Sequence, residues 1–447
     1  ITLLRDTFGR LLRRHARTNL IKLINKTHPA DLAIVFRHFN DDEQVQVFDL
    51  MQGDDHTLEF LVELDDTIIE KLLNIKNPER IVELIQNAST NDQSYILGTL
   101  EQSQAKSVID LLKKEEQEEI EEIMGYPDDS AGTMMATDVF TIYQDTTCSE
   151  ALKTLQDQKD AEMVFYLYIT NEDDSLVGVA SLRALATTPS NTLLKDIMVR
   201  RVHSVRPETD QEDVAQIVAQ YNYLAVPVVD SDDRLLGIVT VDDVVDVIRE
   251  EATEDFLQMA GVGKDREILL KSSWENAKVR LPWLFASWIG GVVAASVIGS
   301  YEYMLENIIA LAAFIPVIIG MGGNIGTQSS TIIVRGMATG RIEIGNELMI
   351  LVKELKVGLI LGILYGVLLG LFANLRFIGA DPMLGLVVGL SIACSMLIAV
   401  TVGSFTPLVL RKLDIDPAIA TGPFVTTSID ILGVLFYFVI AGILLNI

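Results

Sequence analysis

Five stretches without Lys, Arg, His or Glu fill the last third of this 447-residue chain: 281–301, 308–334, 357–375, 384–410 and 417–447. About 20 apolar residues span bilayer hydrocarbon as a helix, so an all-α transmembrane domain of five helices is expected over residues 281–447. In the middle of the fifth stretch stands one carboxylate, Asp430. A carboxylate at that depth costs about 2.5 to 3.5 kcal/mol on insertion scales, and it normally faces water, a cation or a partner group rather than lipid. None of the five stretches holds a Lys, Arg or His to pair with it. Its counter-charge must therefore come from outside the chain, as a proton, a metal ion or Na⁺.

The residues flanking the stretches set an orientation. With the preceding region inside, Lys271, Lys278, Arg280, Arg335, Arg341, Lys353, Lys356, Arg411 and Lys412 are all cytoplasmic, and the outer loops carry Glu302, Glu306, Arg376 and Asp381. The expected topology is a multi-pass protein of a bacterial inner (plasma) membrane, with N-terminal domains cytoplasmic and the C-terminus outside. Residue 1 is Ile and no signal-like segment precedes the first domain, which reads as a trimmed chain.

Composition is split along the chain. The formal net charge is −27, and all of it lies in residues 1–270, because residues 271–447 hold ten acids and ten bases. An acidic surface can serve solubility alone, or its self-repulsion can be relieved by bound divalent cations. It argues against nucleic acid as a partner. Two cysteines, Cys148 and Cys394, one in each part, exclude a disulfide framework or a Cys-based zinc site. No nucleophile with its base, phosphate loop or metal-hydrolase spacing appears, so the chain is not read as an enzyme.

Residues 1–130 read as short helices. Apolar residues recur at three and four in Leu32, Val35, Phe36 and Phe39, in Ile68, Leu72 and Ile75, and in Ile81, Leu84 and Ile85, with breaks at His28-Pro29 and Asn77-Pro78. This predicts an all-α superhelix. Lys113 to Glu122 reads as a solvated acidic face. Beyond it the chain repeats itself, since Val177-Gly178-Val179-Ala180-Ser181-Leu182-Arg183 is echoed 59 residues later by Leu236-Gly237-Ile238-Val239-Thr240-Val241-Asp242. Each copy runs helix, strand, acidic turn, strand, helix. The pattern resembles an α/β tandem pair of CBS modules, placed at 131–195 and 196–250. In that family an Asp three residues after Ser or Thr commonly holds a nucleotide ribose. Thr240 and Asp243 fit, whereas Ser181 is followed by Ala184, so ATP is an open question resting on the second module.

A dense acidic run follows: Asp242, Asp243, Asp246, Glu250, Glu251, Glu254 and Asp255. On a helix these crowd one side, and like charges at neighbouring positions repel by about 0.2 to 0.5 kcal/mol per pair. Hard cations such as Mg²⁺ are what oxygen-only clusters gather; a plain solvated face is the alternative. Residues 251–280 then read as a connecting helix leading into the first span.

Span two holds Gly320, Gly322-Gly323-Asn324 and Gly326, followed by Thr327, Gln328, Ser329 and Ser330. This predicts a broken or closely packed helix whose oxygens line a wet cavity, with simple close packing as the alternative. Gly358, Gly362, Gly366 and Gly370 give span three one smooth packing face. Span five passes Asp414, Asp416-Pro417, Gly422-Pro423 and Thr426-Thr427 before Asp430. On a regular helix Asp416 and Asp430 would be about 21 Å apart, one near the cytoplasmic mouth and one near mid-membrane.

The order of helical domain, CBS pair, acidic connecting helix and five spans resembles the MgtE family of magnesium channels over essentially the whole chain. The residues that carry it are Asp129-Ser130-Ala131-Gly132, Gly322-Gly323-Asn324 with Gln328-Ser329, and Asp416-Pro417 with Thr427 and Asp430. The resemblance implies a homodimer in the lipid bilayer, with the pore on the two-fold axis between spans two and five. Asp430 would meet a largely hydrated Mg²⁺ with Asn324 and Thr426 nearby, and Asp416, Thr427, Gly322 and Gln328 would complete the path. It further implies that intracellular Mg²⁺ gates the pore through Asp210, Glu212, Asp243, Asp246, Glu251, Glu254 and Asp255. Asn222 stands where an acid is expected. Other divalent cations stay open as cargo. Two further readings stay open as well: an ion-coupled divalent cation exchanger, for example with Na⁺, and a non-conducting CBS-type membrane sensor.

Overall fold

The computed structural model describes residues 2–51, 55–157, 165–264, 267–342, 345, 347–378, 381–413 and 415–446. Asp414 lies outside them. The chain divides into two compact units, Ile1–Ile248 and Arg249–Ile447.

The first unit opens with short helices, among them Pro29–Phe36, Asp41–Phe48, Asp66–Leu73 and Pro78–Ile85, of eight residues each. Proline at the first turn starts two of them, and an Asn40–Glu43 capping box starts a third. Helices this short do not persist alone in water. They hold because each contributes a stripe to one core, in which Phe36, Phe60, Leu61, Ile69, Leu73, Ile81 and Ile85 are fully buried. Phe36 meets Phe60 edge to face, centroids 5.0 Å apart. Lys114–Ile123 buries only Ile120 and Ile123 and turns its acids outward.

The repeat builds two small sheets. In the first, β1 (Thr141–Tyr143) pairs in parallel with β2 (Tyr166–Thr170), which pairs antiparallel with β3 (Leu176–Ser181). In the second, β4 (Ala225–Val229) pairs antiparallel with β5 (Leu235–Thr240), and Val205 bridges to Val228 in parallel, as β1 does to β2. The echoed glycines occupy equivalent crowded places. A Cβ on Gly178 would lie 2.7 Å from the Met198 sulfur, and one on Gly237 would lie 2.6 Å from the Ala136 carbonyl oxygen. The motif Asp129-Ser130-Ala131-Gly132 is a pinning turn, with Ala131 and Gly132 donating backbone N–H to Thr209 and Pro207 carbonyls at 2.8 Å.

A helix from Val241 to Met259 carries the acidic run. Among the described residues of the second unit, five helices are long and apolar enough to cross a bilayer: Ser273–Ser300, Ile309–Ala338, Glu347–Arg376, Leu384–Lys412 and Pro423–Leu445. The chain is thus membrane-integral, and these are spans one to five. Span two is α-helical without a break from Ile315 to Ala338. Its glycines are contact points: a Cβ on Gly326 would overlap Ile429 of span five, and a Cβ on Gly403 of span four would lie 2.3 Å from the Gly326 carbonyl oxygen. Spans three and four meet likewise, Gly366 against Gly389 and Gly370 against Gly385.

Span five departs from expectation. Pro417–Thr421 forms a 3₁₀ turn, and the α-helix begins only at Pro423. Gly422 and Pro423 cause the break, since proline has no N–H for the preceding turn and its fixed φ suits a helix start. No regular helix joins Asp416 to Asp430, and the separation of about 21 Å does not apply.

Candidate functional site

Asp430 lies in the third turn of span five, half-buried, with its neighbours Ile429 and Gly433 fully turned into the bundle. Opposite it, on span two, is Gly323, where an added Cβ would come 3.9 Å from an Asp430 carboxylate oxygen. Gly322, next to Gly323, is buried against Ser395 and Ile429, so it sets helix spacing rather than facing Asp430. Asn324 and Gln328 lie one turn apart and are exposed on the same face of span two. Among the described residues, neither amide, nor the Asp430 carboxylate, finds a hydrogen-bond or ionic partner within the chain. Thr426 and Thr427 bond back to the Pro423 carbonyl, at 3.2 and 2.6 Å, which spends their protons and leaves their oxygens as acceptors. Thr427 also packs on Gly290 of span one.

A second cluster forms at the N-terminal end of span five. Asp416 caps the 3₁₀ turn through the Ala418 N–H at 2.8 Å. Its other oxygen accepts from the Gln258 side-chain amide at 2.6 Å, and the same amide donates to Glu254 at 3.0 Å. The Lys264 ammonium stands 2.7 Å from Glu254 and 3.7 Å from Asp416. Gln258 is buried, and its carbonyl oxygen Oε1 accepts no hydrogen bond. Asp255 beside them is pushed up to about 6, first by burial and then by the charge of Asp416, with Arg335 pulling the other way. Glu251 lies one turn before this cluster on the same helix.

The remaining sensor candidates lie in the first unit. Thr240 donates its hydroxyl to Asp243, which begins the acidic helix. Burial, opposed by that hydrogen bond, raises the Asp243 carboxyl above its ordinary range, and Asp92 raises it further. Asp92 is itself raised by burial. Asp210 caps the helix Gln211–Tyr221 by accepting from the Glu212 N–H at 2.8 Å, and Asn222 ends that helix in a left-handed conformation. Asn222 is thus a helix terminator, one of the few residue types that tolerate φ near +55°. Asp246 follows Asp243 by one turn. Among the described residues, no three carboxylate, His or Cys side chains of one chain converge to hold a metal by themselves.

Several of these residues were not singled out by sequence. Gln258 falls four after Glu254, a spacing that places both on one helix face. Lys264 has no such signal, because two glycines after the helix return it to Glu254. Asp92 meets Asp243 only through tertiary packing. Glu354, flanked by Lys353 and Lys356, reads as loop but is buried in span three and accepts from Ser329 of span two at 2.9 Å.

The profile of the MgtE divalent cation transporters matches residues 315–440, that of the MgtE intracellular N domain matches 27–129, and CBS domain profiles match 131–189 and 194–250. A magnesium transporter MgtE of Bacillus subtilis is 32% identical over 96% of this chain and 95% of its own length. The chain belongs to the MgtE family. Another magnesium transporter MgtE, from Enterococcus faecalis, is 40% identical over 74% of this chain and 73% of its own. The crystal structure of the cytosolic domain of an Mg²⁺ channel MgtE in complex with ATP superposes with a TM-score of 0.51 at 30% identity, covering 54% of this chain and 99% of that one. The MgtE transporter match contains Asn324, Gln328, Asp416 and Asp430. Glu251, Glu254, Asp255, Gln258 and Lys264 fall between the matched ranges.

Proposed function

We propose that the chain is a Mg²⁺ channel, a homodimer whose two copies of spans two and five enclose the path, gated by Mg²⁺ from the cytoplasmic side. One observation carries the reading: within the apolar spans, Asp430, Asn324 and Gln328 have no hydrogen-bond or ionic partner among the described residues of their own chain. Polar groups in that position need water, an ion or a second copy around them. A path lined by a carboxylate, amides and hydroxyl oxygens suits Mg²⁺, which keeps several waters and takes one or two carboxylates. The basic residues flanking the spans put the soluble unit and the N-terminal end of span five in the cytoplasm, and the C-terminus outside.

The regulatory ion is supported by the cluster at Asp416. Its carboxylates offer oxygen only, and an ammonium already stands among them in the place of a cation. Glu254 and Asp416 would contribute two carboxylates to the ion there, with Asp255 adding charge beside them and retained waters filling the set. In the first unit Asp243 and Asp92 present two carboxylates raised by burial, with Asp210, Glu212 and Asp246 contributing charge, and in the second unit Glu251 adds charge one turn before the Asp416 cluster. ATP is a second ligand on this reading, with Thr240 and Asp243 as the ribose-binding pair of the second CBS module; a relative's cytosolic domain binds it. Uptake in cells lacking their own Mg²⁺ transport tests the path: the parent chain restores growth at low Mg²⁺, and Asp430→Asn at equal membrane abundance does not. Restoration by both would remove Asp430 from the path.

A further inference from the structure

The acidic helix ends at Met259, and the chain then reverses through Gly261 at φ +69° and Gly263 at φ +97°, conformations that L side chains rarely adopt. Gly261 packs on Pro423, the first residue of the span-five helix, where an added Cβ would lie 3.0 Å from the ring. On a continuing helix Lys264 would lie about 15 Å beyond Glu254. The reversal returns it to 2.7 Å. Its ammonium thereby sits between a carboxylate of the connecting helix and the one that caps the turn into span five.

We propose that Lys264 is a tethered cation occupying the Glu254–Asp416 carboxylates, and that a divalent ion binding there displaces it. Two carboxylates tied together by the Gln258 side-chain N–H₂ draw a cation, and the chain supplies one from its own positive charge. Glu254 is 8% exposed, so it requires a counter-charge. The Lys264 side chain is 64% exposed, so it can swing into water without breaking the fold. Only the ammonium end of the pair is open to water, so the lysine can leave while the buried carboxylate keeps a cation if a divalent ion takes its place. A divalent ion brings twice the charge to the same oxygens. The lysine sets the Mg²⁺ concentration at which the site fills, acting as a competitor that never diffuses away. This inference rests on the regulatory reading of Glu254 and Asp416.

The test uses the full chain in detergent or nanodiscs with Mg²⁺ as the probe. Lys264 acylation by an amine-reactive ester is followed by mass spectrometry, with exposed Lys106 as the internal standard, alongside protease protection of residues 242–275. The expected result is slow labelling of Lys264 relative to Lys106 in chelator, and a rise of threefold or more as Mg²⁺ confers protection. Lys264→Gln should lower the Mg²⁺ concentration for half-protection by threefold or more, and Lys278→Gln, the same charge change elsewhere, should not. Mg²⁺ protection without a change in Lys264 labelling, or equal shifts in the two variants, would overturn the proposal and leave the gating reading standing. No Mg²⁺ protection in the parent chain would overturn both.

Discussion

At the scale of single residues, the chain concentrates unmet oxygen in two places. Around Asp430, Asn324 and Gln328 offer amides that no neighbour among the described residues uses. Asn324→Leu should therefore lower Mg²⁺ uptake by about tenfold, the equivalent of roughly 1.4 kcal/mol and of one polar interaction lost. Unchanged uptake at equal membrane abundance would take Asn324 out of the path. Around Asp416 the sign of the pH effect follows from Asp255. Its carboxyl is raised from 3.8 to about 6, so the docked form binds a proton more tightly than the free form. The cost of burying the ionised Asp255, together with its repulsion from Asp416, is half present near pH 6, complete well above it, and relieved as pH falls through 6 toward 4. In chelator, protease resistance of residues 242–275 should rise between pH 7 and pH 5, and Asp255→Asn should be resistant already at pH 7. A parent profile flat over that range would contradict the assignment. Sequence makes Asp430 legible because a charge in an apolar run has no structural camouflage. Lys264 and Asp92 were illegible because their partners lie across a chain reversal and a packed interface, which no local spacing encodes.

At the scale of elements, the five spans were readable from the absence of charge, and their ends were not. Span one begins eight residues earlier than its uncharged stretch, because Ser272 and Glu275 form a capping box and Lys278 and Arg280 are carried on the helix. Glu354 likewise extends span three inward, its carboxylate satisfied by Ser329. The break before Pro423 was written as Gly422-Pro423, a helix-start signal easily lost inside an apolar run. The glycines of span two serve close packing at Gly322 and Gly326, whereas a Cβ at Gly323 would make only ordinary contact with Asp430. Gly403→Ala should reduce thermal stability by about 1 to 3 kcal/mol, the usual cost of overpacking, since its new methyl meets the Gly326 carbonyl. An unchanged melting temperature in detergent would show that spans two and four can separate freely.

At the scale of the whole molecule, an acidic N-terminal part and a nearly neutral membrane part describe one protein in which net charge is kept off the bilayer. The helical domain and the CBS pair were legible as repeats and periodicities, and their relatives share both. How many copies surround the path was not legible, since a symmetric interface uses the same residues twice and leaves only uncovered polar groups as its trace. On the proposed reading, Asn324, Gln328 and Asp430 are that trace. The most direct measurement is electrical recording of the purified chain in planar bilayers with Mg²⁺ as the sole permeant cation. The account predicts discrete Mg²⁺ currents, closed by millimolar Mg²⁺ on the cytoplasmic side and abolished by Asp430→Asn. Currents of parental size through Asp430→Asn, or Mg²⁺ flux without any current from the parent chain, would contradict it.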